Sequence, residues 1–153
     1  MLPLRLLLIA LALNFAWEML QMPAFTGLPE SALAATGSCV LAALGDVAIV
    51  LAMYGLGAAR FHDVRWYRPP RAHRYAMIVT VGVLLHLLIE WVAVHRLARW
   101  GYSEIQPIVP GVDVGLLPIL QPIILLPLTF WLVARVTEPR PDDRGLRSEM
   151  RPR

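Results

Sequence analysis

The chain has 153 residues, 58% of them hydrophobic, and a mean hydropathy of +0.59. A soluble domain is about 45–50% apolar, so this composition excludes an ordinary soluble fold and points to one domain inside a membrane. All 14 basic residues are arginine and the net charge is +3. The arginines gather between apolar runs, a pattern that membrane topology explains and that leaves no basic face for nucleic acid. Arginine without lysine also points to a GC-rich bacterial genome. The single Cys39 lies in an apolar run, which excludes a disulfide framework and a cysteine-based zinc site.

A spanning helix needs about 20 mostly apolar residues, and four stretches qualify. The first covers residues 4–20. It begins beside Arg5 and ends in Asn14-Phe15-Ala16-Trp17-Glu18-Met19-Leu20-Gln21. Its charged start is short and no small-x-small site follows an apolar run of signal-peptide length, so it is expected to stay as a span. Asn14, Glu18 and Gln21 are spaced i, i+4, i+7 and stack on one helix face. The second covers residues 33–59, longer than a bilayer requires, with Asp46 deep inside. Ala35, Ser38, Ala42, Gly45 and Asp46 form a small-residue stripe expected to let a neighbouring helix approach closely.

The third span covers residues 75–95 and carries His86 and Glu90, again i, i+4. The fourth, residues 116–134, carries Gln121 and three prolines. Pro118 and Pro122 are expected in its opening turn, and Pro127 is expected to free the carbonyl of Ile123. The predicted fold is an all-α, four-helix membrane bundle over residues 1–135. A polar and disordered tail is expected over 136–153.

Arginine sorting predicts orientation. The connection at 60–74 holds five arginines and the C-terminal stretch from Arg135 onward six, whereas residues 21–32 hold none and the third connection holds Arg96 and Arg99. By the positive-inside rule, both termini and the 60–74 loop are cytoplasmic in an inner membrane. Trp66 and Tyr67 in that loop are expected at the membrane–water interface.

With that orientation, Glu18 and Glu90 fall near the outer ends of their helices. Asn14 and His86 lie about 6 Å deeper, Gln121 reaches a similar level, and Asp46 is expected deeper still. Ionisable groups are costly in hydrocarbon and normally face the protein interior or a wet cavity. The sequence therefore predicts a polar pocket in the outer half, opening to the periplasmic side. Glu90, Glu18, His86 and Asp46 are the candidate catalytic groups. Asn14, Gln21 and Gln121 are candidate ligand contacts, as are the aromatic residues of the outer interface, Trp17, Trp91, Trp100 and Tyr102.

The first and third spans repeat a theme. Asn14 and Glu18 beside Trp17 match His86 and Glu90 beside Trp91, and each is followed by a Pro/Gly-rich connection. Two helical hairpins in parallel repeat place a site at their interface.

The segment HLLIEWVAVHRLARWGYSEIQPIVPGVDVGLLPILQ, residues 86–121, resembles a pattern in bacterial carotenoid-biosynthesis membrane proteins, the small-subunit lycopene cyclases and related carotenoid hydratases. It covers under a third of the chain. On that resemblance Glu90 is an acid that protonates a polyene double bond, and Trp100 and Tyr102 line the polyene. The cyclase-type Pro-Glu pair at the head of the last span is absent here, where Pro118 is followed by Gln121. The likeness is therefore one of architecture.

Other classes compete. His86, Glu90, Glu18 and Asp46 form an N/O ligand set suited to a divalent metal, but the Glu-x-x-His pairs of di-iron bundles do not occur. His86 has no second well-placed histidine for haem, and the sequence names no cofactor. The partners it implies are the lipid bilayer and a hydrophobic small molecule, with a homo-oligomer or protein partner left open. The leading expectation is a pocket that binds a lipid-phase, isoprenoid-like molecule and acts on it by acid catalysis. The alternative is a non-catalytic protein, either a proton or ion relay or an accessory subunit, whose amides are interhelical glue.

Overall fold

A computed structural model describes residues 2–137. Four helices are long and apolar enough to cross a membrane: α1 (Leu2–Gln21), α2 (Ala32–Phe61), α3 (Ala72–Trp91) and α4 (Leu116–Val136). The fold is the all-α bundle that the apolar runs predicted. Nearly all of the expected tail lies outside the described residues.

Local chemistry sets the helix ends. Ser31 caps α2, its hydroxyl accepting from the Ala34 amide at 3.2 Å. At the other end His62 adopts a left-handed conformation, φ 51°, and its amide donates to the Ala58 carbonyl. Helix α3 runs on through a wide π-type turn at Val92–Arg96, just beyond Glu90. Pro118 sits in the first turn of α4, where its missing N–H costs nothing. Pro122 and Pro127 lie inside the helix, so Pro122 is not in the opening turn as expected.

Helices α1 and α2 pack as one hairpin, α3 and α4 as another, and the hairpins dock through α1 against α4. The remaining seam, α2 against α3, is the loosest. At the end away from the termini the two connections are stitched together. Strand β1 (Phe25–Thr26) pairs antiparallel with β2 (Gly101–Tyr102). The Ser103 amide donates to the Ala24 carbonyl at 3.0 Å, and its hydroxyl to the Pro23 carbonyl at 3.0 Å. A second ladder, β3 (Ile108–Val109) with β4 (Val114–Gly115), leads into α4.

The end carrying the termini is filled at its centre by aromatic rings, with a second cavity of about 340 Å³ beside them between Tyr67, Arg68, Tyr75 and Trp131. Trp66 and Tyr67 are 0% and 2% exposed. The sequence expected them at the interface; instead their loop folds back and plugs the bundle. Trp66 stacks edge-on against Phe130, ring centres 4.8 Å apart, and Tyr67 lies nearly parallel to Phe130 at 6.0 Å. A side chain at Gly57 would overlap the Trp66 indole, so glycine at that position makes room for the ring.

The plug is held by its polar edges, because a buried N–H, O–H or carbonyl needs a partner. The Trp66 indole donates to the Tyr54 carbonyl at 3.1 Å and Tyr75 donates to the Tyr67 carbonyl at 3.2 Å. Arg74 donates to the Trp66 carbonyl at 3.0 Å and pairs with Asp63 at 3.6 Å. Arg68 reaches the Ala134 carbonyl, and Arg5 donates to the Val136 carbonyl at 2.7 Å. Several arginines that read as topological charges thus also tie the loop and α1 to the end of α4.

Candidate functional site

The other half of the bundle is hollow. A cavity of about 340 Å³ lies among all four helices and the two stitched connections, within the usual range of small-molecule sites. Helix α1 contributes Glu18 and Gln21, α2 Asp46, α3 His86 and Glu90, and α4 Gln121. Phe25 and Trp100 from the connections complete the wall, their rings edge to face at 6.4 Å.

Four polar side chains form a chain across the bundle. Gln121 donates from Nε2 to Asn14 Oδ1 at 3.0 Å and to Asp46 Oδ2 at 2.7 Å. Asp46 Oδ1 faces His86 Nε2 at 3.3 Å. Asp46 is therefore level with His86 and Gln121, not deeper as expected. Residue counting fails here because α2 has 30 residues against 20 or 21 in its neighbours, so depth counted from its ends does not locate Asp46. His86 pairs with Asp46 on the neighbouring hairpin, while its Nδ1 bonds the Gly82 carbonyl at 3.2 Å. A carbonyl only accepts, so Nδ1 carries a hydrogen. Nε2 makes no hydrogen bond among the described residues and meets Asp46 only through this contact.

The two hairpins use equivalent residues in equivalent ways. Asn14 bonds back to the Ala10 carbonyl at 2.8 Å, one turn earlier, as His86 does to Gly82. Asn14 of α1 pairs across to Gln121 of α4, and His86 of α3 pairs across to Asp46 of α2. The Gln121–Asp46 bond joins the two pairs. One turn beyond them, Glu18 and Glu90 both line the cavity.

The two glutamates are held differently. Glu18 Oε1 accepts from Gln21 Nε2 at 2.8 Å, and Gln21 Oε1 accepts from the Trp17 indole at 2.9 Å. Glu18 also interacts with Asp46 and Gln121. Glu90, 6% exposed, accepts at Oε1 from both the Trp100 indole at 3.1 Å and the Tyr102 hydroxyl at 2.8 Å. Among the described residues no hydrogen bond engages its Oε2. With both donors on Oε1, a proton on this carboxyl resides on Oε2. Burial, and the Glu90 carboxyl to which it donates, push the Tyr102 hydroxyl well above its ordinary range, so it stays protonated as a donor.

Three expectations need correction. Trp17 does not line the cavity but braces Gln21 from behind. Trp91, 37% exposed, is absent from the cavity wall and lies under the Arg96 guanidinium at 5.5 Å; it belongs to the aromatic belt. The small-residue stripe of α2 does not seat a helix around Asp46. A side chain at Gly45 would meet nothing within 4 Å, and Ser38, Ala42 and Gly45 border the cavity instead. Small residues there leave space open.

Asn14 and Tyr102 act behind the wall, on Gln121 and Glu90. Sequence reasoning missed Phe25, Cys39 and Ile89, which line the cavity, and Gln106. Gln106 is 5% exposed, packs against Gly115, and has no partner for either side-chain polar atom among the described residues. The Phe25 signal was its place in a Pro/Gly-rich outer connection. Nothing in the local pattern marked Gln106. Among the described residues, no three His, Cys, Asp or Glu side chains converge on a metal position.

The fold and site define a multi-pass membrane bundle with a carboxylate-lined cavity among its helices. No family model, curated protein or solved structure matches the chain.

Proposed function

We propose that this protein binds a lipid-phase, isoprenoid-like small molecule in the cavity and acts on it by acid catalysis, with Glu90 as the proton donor. The observation that carries the reading is Glu90 itself. Two donors fix its Oε1, its Oε2 has no protein partner among the described residues, and its side chain borders an apolar-walled cavity beside the Trp100 ring. A carboxylic acid held this way presents a proton to a buried substrate, and aromatic faces stabilise a cation formed next to it. Glu18 and Asp46 supply polar groups on the facing wall, and His86 lies one turn from Glu90 on α3.

The membrane is the bacterial inner membrane, with both termini and the Arg-rich loop cytoplasmic. A reporter fused after Gly27 is expected to read periplasmic, and one fused after Pro70 cytoplasmic; the reverse would contradict the orientation. The functional test compares detergent-purified wild type with Glu90→Gln by absorption spectrum and by mass spectrometry of extracted lipids. A polyene, quinone or other prenyl lipid enriched in the wild type and altered in amount or structure in the variant supports the reading. Identical extracts, both free of such molecules, would overturn it.

The Asn14–Gln121–Asp46–His86 chain also favours a second reading, a proton or ion relay without a lipid substrate. That reading expects pH-driven flux in proteoliposomes that Asp46→Asn abolishes.

A further inference from the structure

We infer that the cavity takes its ligand sideways from the bilayer, between α2 and α3, and that the ligand is an amphiphile whose head donates hydrogen bonds, an amine or alcohol rather than a phosphate. This inference rests on the proposed function and narrows its substrate class.

Access follows from an asymmetry between equivalent seams. The hairpins are related so that α1 against α4 corresponds to α3 against α2. The first seam is closed and the second is the loosest in the bundle. The cavity lies on the loose side, and its border includes residues at membrane depth that face outward: Leu41 is 72% exposed and Ile89 45%. Between them Gly45 leaves an open gap. The axial route is covered, because the β1–β2 ladder crosses that end with Phe25 packed against Trp100 and Tyr102. The opposite axial route is filled by Trp66, Tyr67 and Phe130. An apolar tail seated in the α2–α3 seam keeps lipid-like surroundings while its head reaches the polar wall.

Head-group chemistry follows from the wall. Glu18, Asp46 and Glu90 line it and, among the described residues, no arginine does. Its unengaged atoms include Glu90 Oε2, which donates while the acid holds its proton and accepts once that proton has been given up. A phosphate brings acceptors and negative charge to a surface of the same kind, and like charges brought together suppress a wrong partner. A hydroxyl or an amine meets Glu90 in either state, and the Trp100 ring on the same wall favours the protonated amine.

The test uses one tail with three heads. Farnesylamine, farnesol and farnesyl monophosphate are titrated against nanodisc-reconstituted wild type, Gly45→Phe and Glu90→Gln, read by tryptophan fluorescence and thermal stability. The amine is expected to bind most tightly, farnesol next, and the phosphate on the order of a hundred-fold more weakly than the amine. Gly45→Phe is expected to keep the wild-type melting temperature and lose binding by roughly ten-fold or more, and Glu90→Gln to erase the preference for the amine. Equal or tighter binding of the phosphate, or full binding by Gly45→Phe, would overturn this inference and leave the pocket reading standing. Failure of all three heads to bind wild type would overturn both.

Discussion

The two halves of this bundle are built from the same four helices, yet they solve opposite problems. The half at the termini buries Trp66, Tyr67 and Phe130 against one another and leaves no space among them. The half at the stitched connections buries Asn14, Glu90 and Gln121 and keeps a cavity of about 340 Å³. In lipid, apolar side chains gain little by leaving the bilayer, so helix association rests on close packing and hydrogen bonds. The aromatic plug supplies the first, and the amide and carboxyl chain supplies the second. One half secures the fold so that the other can stay open, and the lesson is that polarity at membrane depth here accompanies space rather than tight contact.

The largest blow to this contrast should come from the plug. Trp66→Ala empties the most enclosed aromatic position and should cost about 3–5 kcal/mol, read as a lowered melting temperature in detergent. Next is Gln121→Leu, which removes the donor shared by Asn14 and Asp46. It should cost about 1–3 kcal/mol, and a double-mutant cycle with Asn14→Leu should show coupling between the two sites. Gly45→Phe and Glu90→Gln in the hollow half should each stay within about 0.5 kcal/mol of wild type in unliganded stability. In the second variant the new amide carbonyl would still accept from Trp100 and Tyr102. A large loss in either variant would mean that the cavity is part of the packing scaffold.

The smallest effect is a pH dependence that both halves share. Burial raises the Tyr67 and Tyr102 hydroxyls above the ordinary tyrosine value of 10.0. Below that value both the folded and unfolded chains keep these protons, and their contribution to stability is complete. As pH rises past 10 the unfolded chain loses them first, so stability declines. Melting temperature followed from pH 8 to 11 should be level and then fall, and Tyr102→Phe should make the fall shallower.

Much of this architecture was legible in the sequence because hydrocarbon imposes long apolar runs. The observed ends of α1 and α4 lie within two residues of the predicted ones. The helical spacing of Asn14 with Glu18, and of His86 with Glu90, placed those pairs on single faces. Trp66 and Tyr67 were misread because an Arg-rich loop satisfies topology whether it lies at the interface or folds inward. Only the tertiary partners, Gly57 and Phe130, distinguish the two. Asp46 was set too deep because α2 is longer than the helices it packs against. The stripe around Gly45 was read as a packing face because small residues permit close approach and empty space equally well, and the neighbour decides which. Phe25 and Gln106 lie in connections, where pairing partners distant in sequence set the position.

The central claim is that the carboxylate-lined cavity opens to the bilayer between α2 and α3, while the aromatic centre of the other half stays filled. Crystals grown in a lipid phase containing brominated acyl chains would test it directly through the anomalous difference map. The account predicts bromine density in the seam between α2 and α3 beside Gly45, reaching toward Glu90, with none among Trp66, Tyr67 and Phe130. A closed α2–α3 seam, with bromine confined to the outer surface of the bundle, would contradict it.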